Sequence, residues 1–252
     1  MVRKFLVLAA AGAALAFGST VAVAAGPAVS KAIADAVANP ARPAADTARD
    51  ADRKPADVLT FAGVKPGQNV GEFIPGGGYY TRLLSAVVGT SGHVYALWPD
   101  GLAKARPQIV QASAGIAPNV SVLTYGPGAL PVPEKLDLVW TSENYHDFHN
   151  APPGAPPADM AAFNKSVFDA LKPGGIFLIE DHAAAAGAGP GVTSTLHRID
   201  PAQAKAEVEA AGFKLVGESN ALANPADAHA APVFDPTIRG HTDKMLLKFR
   251  KP

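Results

Sequence analysis

From residue 69 to residue 249 the chain switches repeatedly between short apolar runs and stretches of helical period, and this alternation constrains the fold more than any other feature. Runs of strand length fall at 69–74, 93–98, 120–124, 136–141, 176–179, 213–216 and 245–249. Between them lie helical segments at 79–88, at 102–114 with a break or start at Pro107, at 159–171 and from 201 to 211. In the third of these Met160, Phe163, Val167, Phe168 and Leu171 share one face. Asp200-Pro201-Ala202-Gln203 reads as a capping box with proline at the first helical position. Strands separated by helices pair in parallel through right-handed crossovers, so helices cover both faces of one open sheet. The expected fold is therefore a doubly wound, Rossmann-like α/β domain over 55–252. Ahead of it, 26–54 reads as a helical arm. Ser30 caps a short helix carrying Ile33 and Val37, and 39–43 breaks it. Another helix follows Pro55 with Val58, Leu59 and Phe61 apolar, and 63–67 is a turn by composition.

The first 25 residues read as an address. Arg3 and Lys4 precede an uncharged apolar run from 5 to 17, and small residues follow, with Ala22-Val23-Ala24 and Val23-Ala24-Ala25 both suited to cleavage. The apolar run is shorter than the ~20 residues of a membrane span. The expectation is a signal peptide cleaved near Ala24 or Ala25, a periplasmic destination, and no stable membrane insertion afterwards. Lys plus Arg and Asp plus Glu both number 22, which argues against a nucleic-acid binder and leaves a small molecule as the expected partner. The chain has no cysteine, so disulfides, thiolate zinc and iron–sulfur chemistry are excluded.

Three segments carry chemistry. In the first, Val70-Gly71-Glu72-Phe73-Ile74 runs into Pro75-Gly76-Gly77-Gly78 and opens the helix at Tyr79-Tyr80-Thr81. Glycines there let a ligand approach the backbone, and free amides at the helix start receive polar or anionic groups. The second is Thr141-Ser142-Glu143-Asn144-Tyr145-His146-Asp147-Phe148-His149-Asn150, following the fourth strand. A histidine at such a place suits proton removal, and His146 with His149 also has a metal-ligand spacing. The third is Glu180-Asp181-His182 at the end of the fifth strand, facing the same crevice. His197-Arg198 and Arg239-Gly240-His241 read as surface charge, and His93 and His229 carry no assigned role.

Beyond these readings, the chain resembles the class I S-adenosylmethionine-dependent methyltransferases over about 55–250. The residues that carry the resemblance are Glu72 with Gly76 and Gly78, then Tyr79-Tyr80-Thr81; Leu136-Asp137-Leu138-Val139; Leu171-Lys172-Pro173-Gly174-Gly175-Ile176-Phe177; and Ala210-Ala211-Gly212-Phe213-Lys214-Leu215. With the N-terminal pattern and Asn144-Tyr145-His146-Asp147-Phe148-His149, it resembles an exported bacterial group of predicted methyltransferases. The resemblance implies a sheet of about seven strands, mostly parallel with the last reversed. It implies S-adenosylmethionine as cofactor over Glu72, Ile74, Pro75, Gly76, Gly77, Gly78 and Tyr80, with Trp98 and Asn144 at its flanks. The family's first loop glycine falls at Ile74. Its ribose-binding acid falls at Trp98, with Asp100 two residues on, and its adenine-side residue falls near Tyr125-Gly126.

The function expected first is methyl transfer to an unknown small-molecule or extracytoplasmic acceptor. His146 is the base, oriented by Tyr145 and Asp147, with Glu180 and His182 in reserve, and no resident metal. A second reading is an exported binding protein on a changed methyltransferase fold, which Trp98 in place of an acid favours. A third is a metal-dependent hydrolase using His146, Asp147, His149 and His182.

Overall fold

The computed structural model describes residues 28–150 and 157–252. The leader pattern at 1–25 and most of the proline-rich loop after Asn150 lie outside the described residues. Seven strands form one sheet: β1 (Asn69–Phe73), β2 (His93–Pro99), β3 (Val120–Tyr125), β4 (Leu136–Ser142), β5 (Leu171–His182), β6 (Lys214–Glu218) and β7 (Lys244–Arg250), in the order β3-β2-β1-β4-β5-β7-β6. The pairs β1–β2, β1–β4, β2–β3 and β4–β5 are parallel, while β7 runs antiparallel to both β5 and β6. The mostly parallel sheet with a reversed last strand is thus present. Among the described residues no helix is long and apolar enough to cross a membrane.

Local chemistry sets the helix ends. The Ser30 side chain accepts the Ile33 amide and starts α1 (Lys31–Val37). The arm continues through α2 (Ala44–Thr47) and α3 (Asp50–Arg53). These two are single turns, too short to leave a periodicity in the sequence. Proline occupies the first turn of α4 (Pro55–Ala62), and Gly63 at φ +80° ends it. Tyr79–Val88 forms α5 straight out of the glycine turn. Pro107 splits α6 (Asp100–Ala105) from α7 (Pro107–Ala114). Asp159 caps α8 (Met160–Ala170), and the turn α9 (Val192–Thr195) precedes α10 (Pro201–Ala210). At α10 the expected capping box is half closed. Asp200 accepts the Ala202 amide, but Gln203 turns forward to Glu207. β5 also starts earlier than expected. Lys172-Pro173-Gly174-Gly175 forms a bulge between the pairs Leu136–Leu171 and Leu138–Ile176 instead of a connection ahead of the strand.

Each sheet face has its own apolar core. One holds Val70, Ala96, Trp98, Leu138, Trp140 and Leu178 beneath α1, α4 and α5. The other holds Phe73, Leu97, Val139, Phe177 and Phe249 beneath α8 and α10. The chain moves outward from β1 to β3 and then returns to β4 on the other side of β1. The strand order therefore reverses between β1 and β4, where open α/β sheets bind ligands at the strands' carboxyl ends. The arm closes on this edge. Arg42 grips Asp50 through two bonds of 2.7 Å, Asp50 accepts the Tyr79 hydroxyl at 2.6 Å, and Arg82 Nε donates to Asp46 at 2.6 Å. Arm and first turn of α5 are thereby one hydrogen-bonded unit.

Candidate functional site

The turn between β1 and α5 begins at Ile74, which donates its amide to the Leu97 carbonyl at 2.9 Å and sits at φ +46°. A glycine would adopt this left-handed conformation freely, whereas a β-branched residue spends about 1–2 kcal/mol there. Gly76 and Gly78 also have positive φ, +58° and +79°, and Gly78 donates to the Pro75 carbonyl at 2.9 Å. The three glycines differ in surroundings. A Cβ at Gly78 would stand 2.4 Å from Ile116 Cδ1, while a Cβ at Gly76 or Gly77 would meet nothing within 4 Å. Open space therefore lies over Gly76 and Gly77, beside a cleft of about 290 Å³ lined by Arg82, Ile109, Ser113 and Ile116. Beneath the turn Glu72 is buried. Its Oε2 accepts the Thr81 hydroxyl at 2.6 Å, and burial pushes its carboxyl up to about 7.

Two residues expected beside a ligand turn into the core instead. Trp98 is 1% exposed, packs beneath α5, and leaves its indole Nε1 unpaired. Side chains alternate across a strand, and Trp98 falls on the face of β2 that α5 covers. The carboxylate nearest this end is Asp100 at the start of α6, whose Oδ2 lies 3.2 Å from where a Cβ on Gly126 would be. Tyr80 is likewise buried, its ring centroid 4.8 Å from that of Trp140, so it supports the turn from below.

At the end of β4, Asn144 ties the neighbouring strands together. Its Nδ2 donates to Ser142 O at 2.6 Å and reaches Ile74 O at 3.3 Å. Glu143, at φ +57°, meets Arg53 from the arm at 2.6 Å and Lys244 from β7 at 3.6 Å. Burial opposes its charge, but Arg53 and the neighbouring cations hold its carboxyl below the usual value. Glu180 is fully buried, accepts the Ser142 hydroxyl at 3.2 Å and has an unpaired Oε1; burial pushes it up to about 6. His182 pairs Nδ1 with the Thr242 hydroxyl at 2.7 Å, and burial lowers it to about 4, so its imidazole is neutral. Arg53, Glu143 and Lys244 form a charge network that sequence reading missed. Its members are 90 and more residues apart in the chain, and no local pattern joins them.

His146 opens a 3₁₀ turn, His146–His149, and is buried. Its amide donates to Asp181 Oδ2 and its Nδ1 pairs with Asp181 Oδ1, both at 2.7 Å, while Nε2 lies 3.2 Å from Asp147 Oδ1. Burial favours the neutral ring, yet Asp181 and Asp147 together raise it to about 10. The imidazole is therefore a cation held between two carboxylates, oriented by Asp181 and Asp147. Tyr145 is not the orienting partner expected. It is fully buried and turns away, its hydroxyl bonded to Asn164 at 2.9 Å and near Glu207 at 3.2 Å. His149 follows it to Glu207 at 2.9 Å. The grouping of His146, Asp147, His149 and His182 therefore divides: His149 and His182 have separate partners. His197 joins instead, its Nδ1 3.3 Å from Asp147 Oδ1. It comes from a loop that sequence reading left as surface charge.

No family model matches the chain, and no curated protein does. Solved structures do. A SAM-dependent methyltransferase from Aquifex aeolicus aligns with TM-score 0.54 and 18% identity over 78% of this chain and 88% of its own. Another, from Mesorhizobium loti, aligns with TM-score 0.53 and 16% identity over 81% of this chain and 100% of its own. The [4+2]-cyclase SpnF aligns equally well, TM-score 0.53 and 17% identity over 83% of this chain and 81% of its own. At such identities the likeness is one of fold: this chain has the fold of the SAM-dependent methyltransferases, which a cyclase also uses.

Proposed function

We propose that the protein is an S-adenosylmethionine-dependent methyltransferase acting on a small-molecule acceptor. The observation that carries this reading is the open cradle over Gly76 and Gly77, above buried Glu72, at the point where the strand order reverses between β1 and β4. The residues present fit the cofactor there. Two glycines admit close approach to the backbone. Glu72 offers a carboxyl toward an ammonium group, and Asp100 is the carboxylate available to ribose hydroxyls now that Trp98 is committed to the core. Bound at this edge, the cofactor supplies an electrophilic methyl group on a sulfonium. The chain aligns the acceptor with it and accounts for the acceptor's proton. His146, already protonated, has both ring nitrogens engaged by Asp181 and Asp147 and so is not the base. Glu180, raised to about 6 and with an unpaired Oε1, is the group best suited to accept a proton, whereas burial holds His182 at about 4 and makes it a weak base.

Calorimetric titration with S-adenosylmethionine and with its demethylated product tests the reading. One site for each is expected, and absence of heat with both would overturn it. Burial of Trp98 favours one alternative, a ligand-binding or non-transferase protein on this fold. Cofactor binding without transfer to any of a panel of hydroxyl, amine and thiol acceptors would favour that alternative. We also propose, from the pattern at 1–25, that the chain is exported.

A further inference from the structure

Three of the five non-glycine residues with positive φ among the described residues lie at the carboxyl edge of the sheet: Ile74, Glu143 and His197. Left-handed backbone at a non-glycine residue persists where the surroundings over-determine it, and it concentrates at functional sites. For Ile74 the glycine turn accounts for it, and for Glu143 the bond to Arg53. His197, at φ +53°, needs its own account.

The loop that carries His197 is built to hold it still. The next residue, Arg198, is fully buried, forms two bonds to Asp227 at 2.8 and 3.1 Å, and donates to the Ala183 carbonyl at 3.0 Å. Ile199 donates to the His182 carbonyl at 3.0 Å, joining the loop to the end of β5. The His197 side chain, by contrast, is 32% exposed and points back to Asp147, itself 45% exposed. The anchored loop sets the His197 ring edge-on to His146, 5.5 Å between centroids, with its Nδ1 toward Asp147.

We infer that His146 Nε2, Asp147 Oδ1 and His197 Nδ1 form a binding site for a divalent first-row transition metal of the zinc type. The three atoms lie within 4.8 Å of one another. Asp147 Oδ1 stands 3.2 Å from His146 Nε2 and 3.3 Å from His197 Nδ1. Both are longer than the 2.7 Å bond His146 makes to Asp181 and lie at the outer limit of N–H···O bonds, ~3.2 Å. They match the edge of a tetrahedron whose donors lie ~2.0–2.1 Å from one ion, about 3.3 Å. The remaining edge, between the two imidazoles, is at most 4.8 Å and would have to shorten on metal binding.

A second observation points the same way. The Asp181 carboxylate, buried and bonded to His146 Nδ1, leaves Nε2 as the nitrogen directed at Asp147. A carboxylate behind the far nitrogen of a ligand histidine fixes its tautomer and raises its basicity, an arrangement that recurs at metal sites. Two imidazoles and one carboxylate suit zinc or its neighbours; Mg²⁺ and Ca²⁺ prefer all-oxygen sites. Exposure of Asp147 and His197 leaves the remaining coordination positions open to water or an oxygen ligand. Phe234, 59% exposed with its ring 4.9 Å from that of His197, adds an apolar lip. The site shares His146 with the methyltransferase reading: metal binding must displace the proton from its Nε2, so the ion and the protonated ring are alternative occupants of one position.

The test is zinc binding to the full chain after treatment with chelator, read by titration calorimetry and, with Co²⁺ as stand-in, by the visible absorption of a coordinated ion. One equivalent is expected, undisturbed by excess Mg²⁺. His197→Ala should weaken zinc binding at least tenfold and abolish the Co²⁺ bands with the circular dichroism unchanged, and Asp181→Asn should weaken it about 10–100-fold. Should either variant fail to fold, the exposed Asp147→Asn carries the same expectation. Absence of stoichiometric binding overturns the inference, as does wild-type affinity in His197→Ala, which would locate the ion elsewhere. The titration needs no S-adenosylmethionine, so its failure and that of the methyltransferase reading are separate results.

Discussion

Glu72 shows how one side chain links stability to the proposed site. Its carboxyl is buried, accepts one hydroxyl, and is raised from 4.5 to about 7. The folded state thus binds the proton more tightly than the unfolded state. The resulting stability is complete below pH ~4.5 and is lost as pH rises through about 7. Glu72→Gln keeps an acceptor for Thr81 and removes the titration. Its melting temperature should equal that of wild type near pH 4 and exceed it at pH 8, where the difference is on the order of 3 kcal/mol. The same variant should weaken S-adenosylmethionine if the carboxyl faces the donor's ammonium group. Calorimetric scans at the two pH values decide the first point. A constant offset between the proteins would mean that folding leaves the Glu72 carboxyl unshifted. Glu72 was legible because it sits in the strand immediately before the glycines. Asp181 was visible as one of three adjacent polar residues, but its hold on His146 was not, since the two belong to different strand ends. His197 had no local signal at all. Only a left-handed φ and a partner 50 residues earlier mark it out, and neither is written in residue type.

Elements carry the next distinctions. The glycine turn was read as a ligand cradle, and its three glycines now divide by role. Gly78 belongs to the fold, because it faces Ile116 and has φ +79°. Gly78→Ala should destabilise by about 1–3 kcal/mol through overpacking and backbone strain. Gly77 has no positive φ and open space around it, so Gly77→Ala should stay within ~0.5 kcal/mol of wild type. Because its methyl meets no protein atom, any loss of affinity at Gly77 reports the ligand. Thermal melts beside cofactor titrations separate the two glycines, and unaltered binding in Gly77→Ala would remove the cofactor from this turn. The arm shows the opposite case. Its helices α2 and α3 are single turns without periodicity, yet α3 delivers Arg53, buried, over the rings of Tyr79 and Tyr80 at 4.9 and 5.5 Å and onto Glu143. Arg53→Met keeps the apolar stem and removes the charge beside buried Glu180 and partly exposed Glu143, which should cost about 1–3 kcal/mol, less than a fully buried pair. Combining it with Glu143→Gln should recover a measurable part of that loss, since the substitutions share one contact. Additive effects in denaturant unfolding would show that the pair is uncoupled. Strand and helix positions themselves were legible because periods of 2 and 3.6 survive in short windows. The bulge at Lys172–Gly175 was read as a stop because glycine and proline mark departures from regular structure without saying whether pairing resumes.

At the scale of the molecule, the parallel core followed from strand–helix alternation. The reversed β7 came only from resemblance, since nothing in the residues 244–250 sets a direction. The arm's place on α5 bears on export. Ser30 caps α1, and Ile33 and Ala36 of that helix are buried in the core shared with Leu83 and Leu84 of α5. A cut inside α1 would expose that core. A cut after Ala24 leaves Ser30 and its cap intact, with only 25–29 ahead of it, so the proposed cleavage point is compatible with the fold. The absence of cysteine means that an oxidising compartment neither helps nor endangers folding. The chain expressed with its own N-terminus in a Gram-negative host should therefore appear in the periplasmic fraction with a mass beginning near Ala25. Its melting temperature should equal that of a chain made in the cytoplasm without residues 1–24. An intact Met1 terminus in the membrane fraction would make the segment an anchor and place the site beside a lipid surface. A cut beyond Ser30 accompanied by a lower melting temperature would show that α1, and with it the arm's approach to the glycine turn, is lost on maturation.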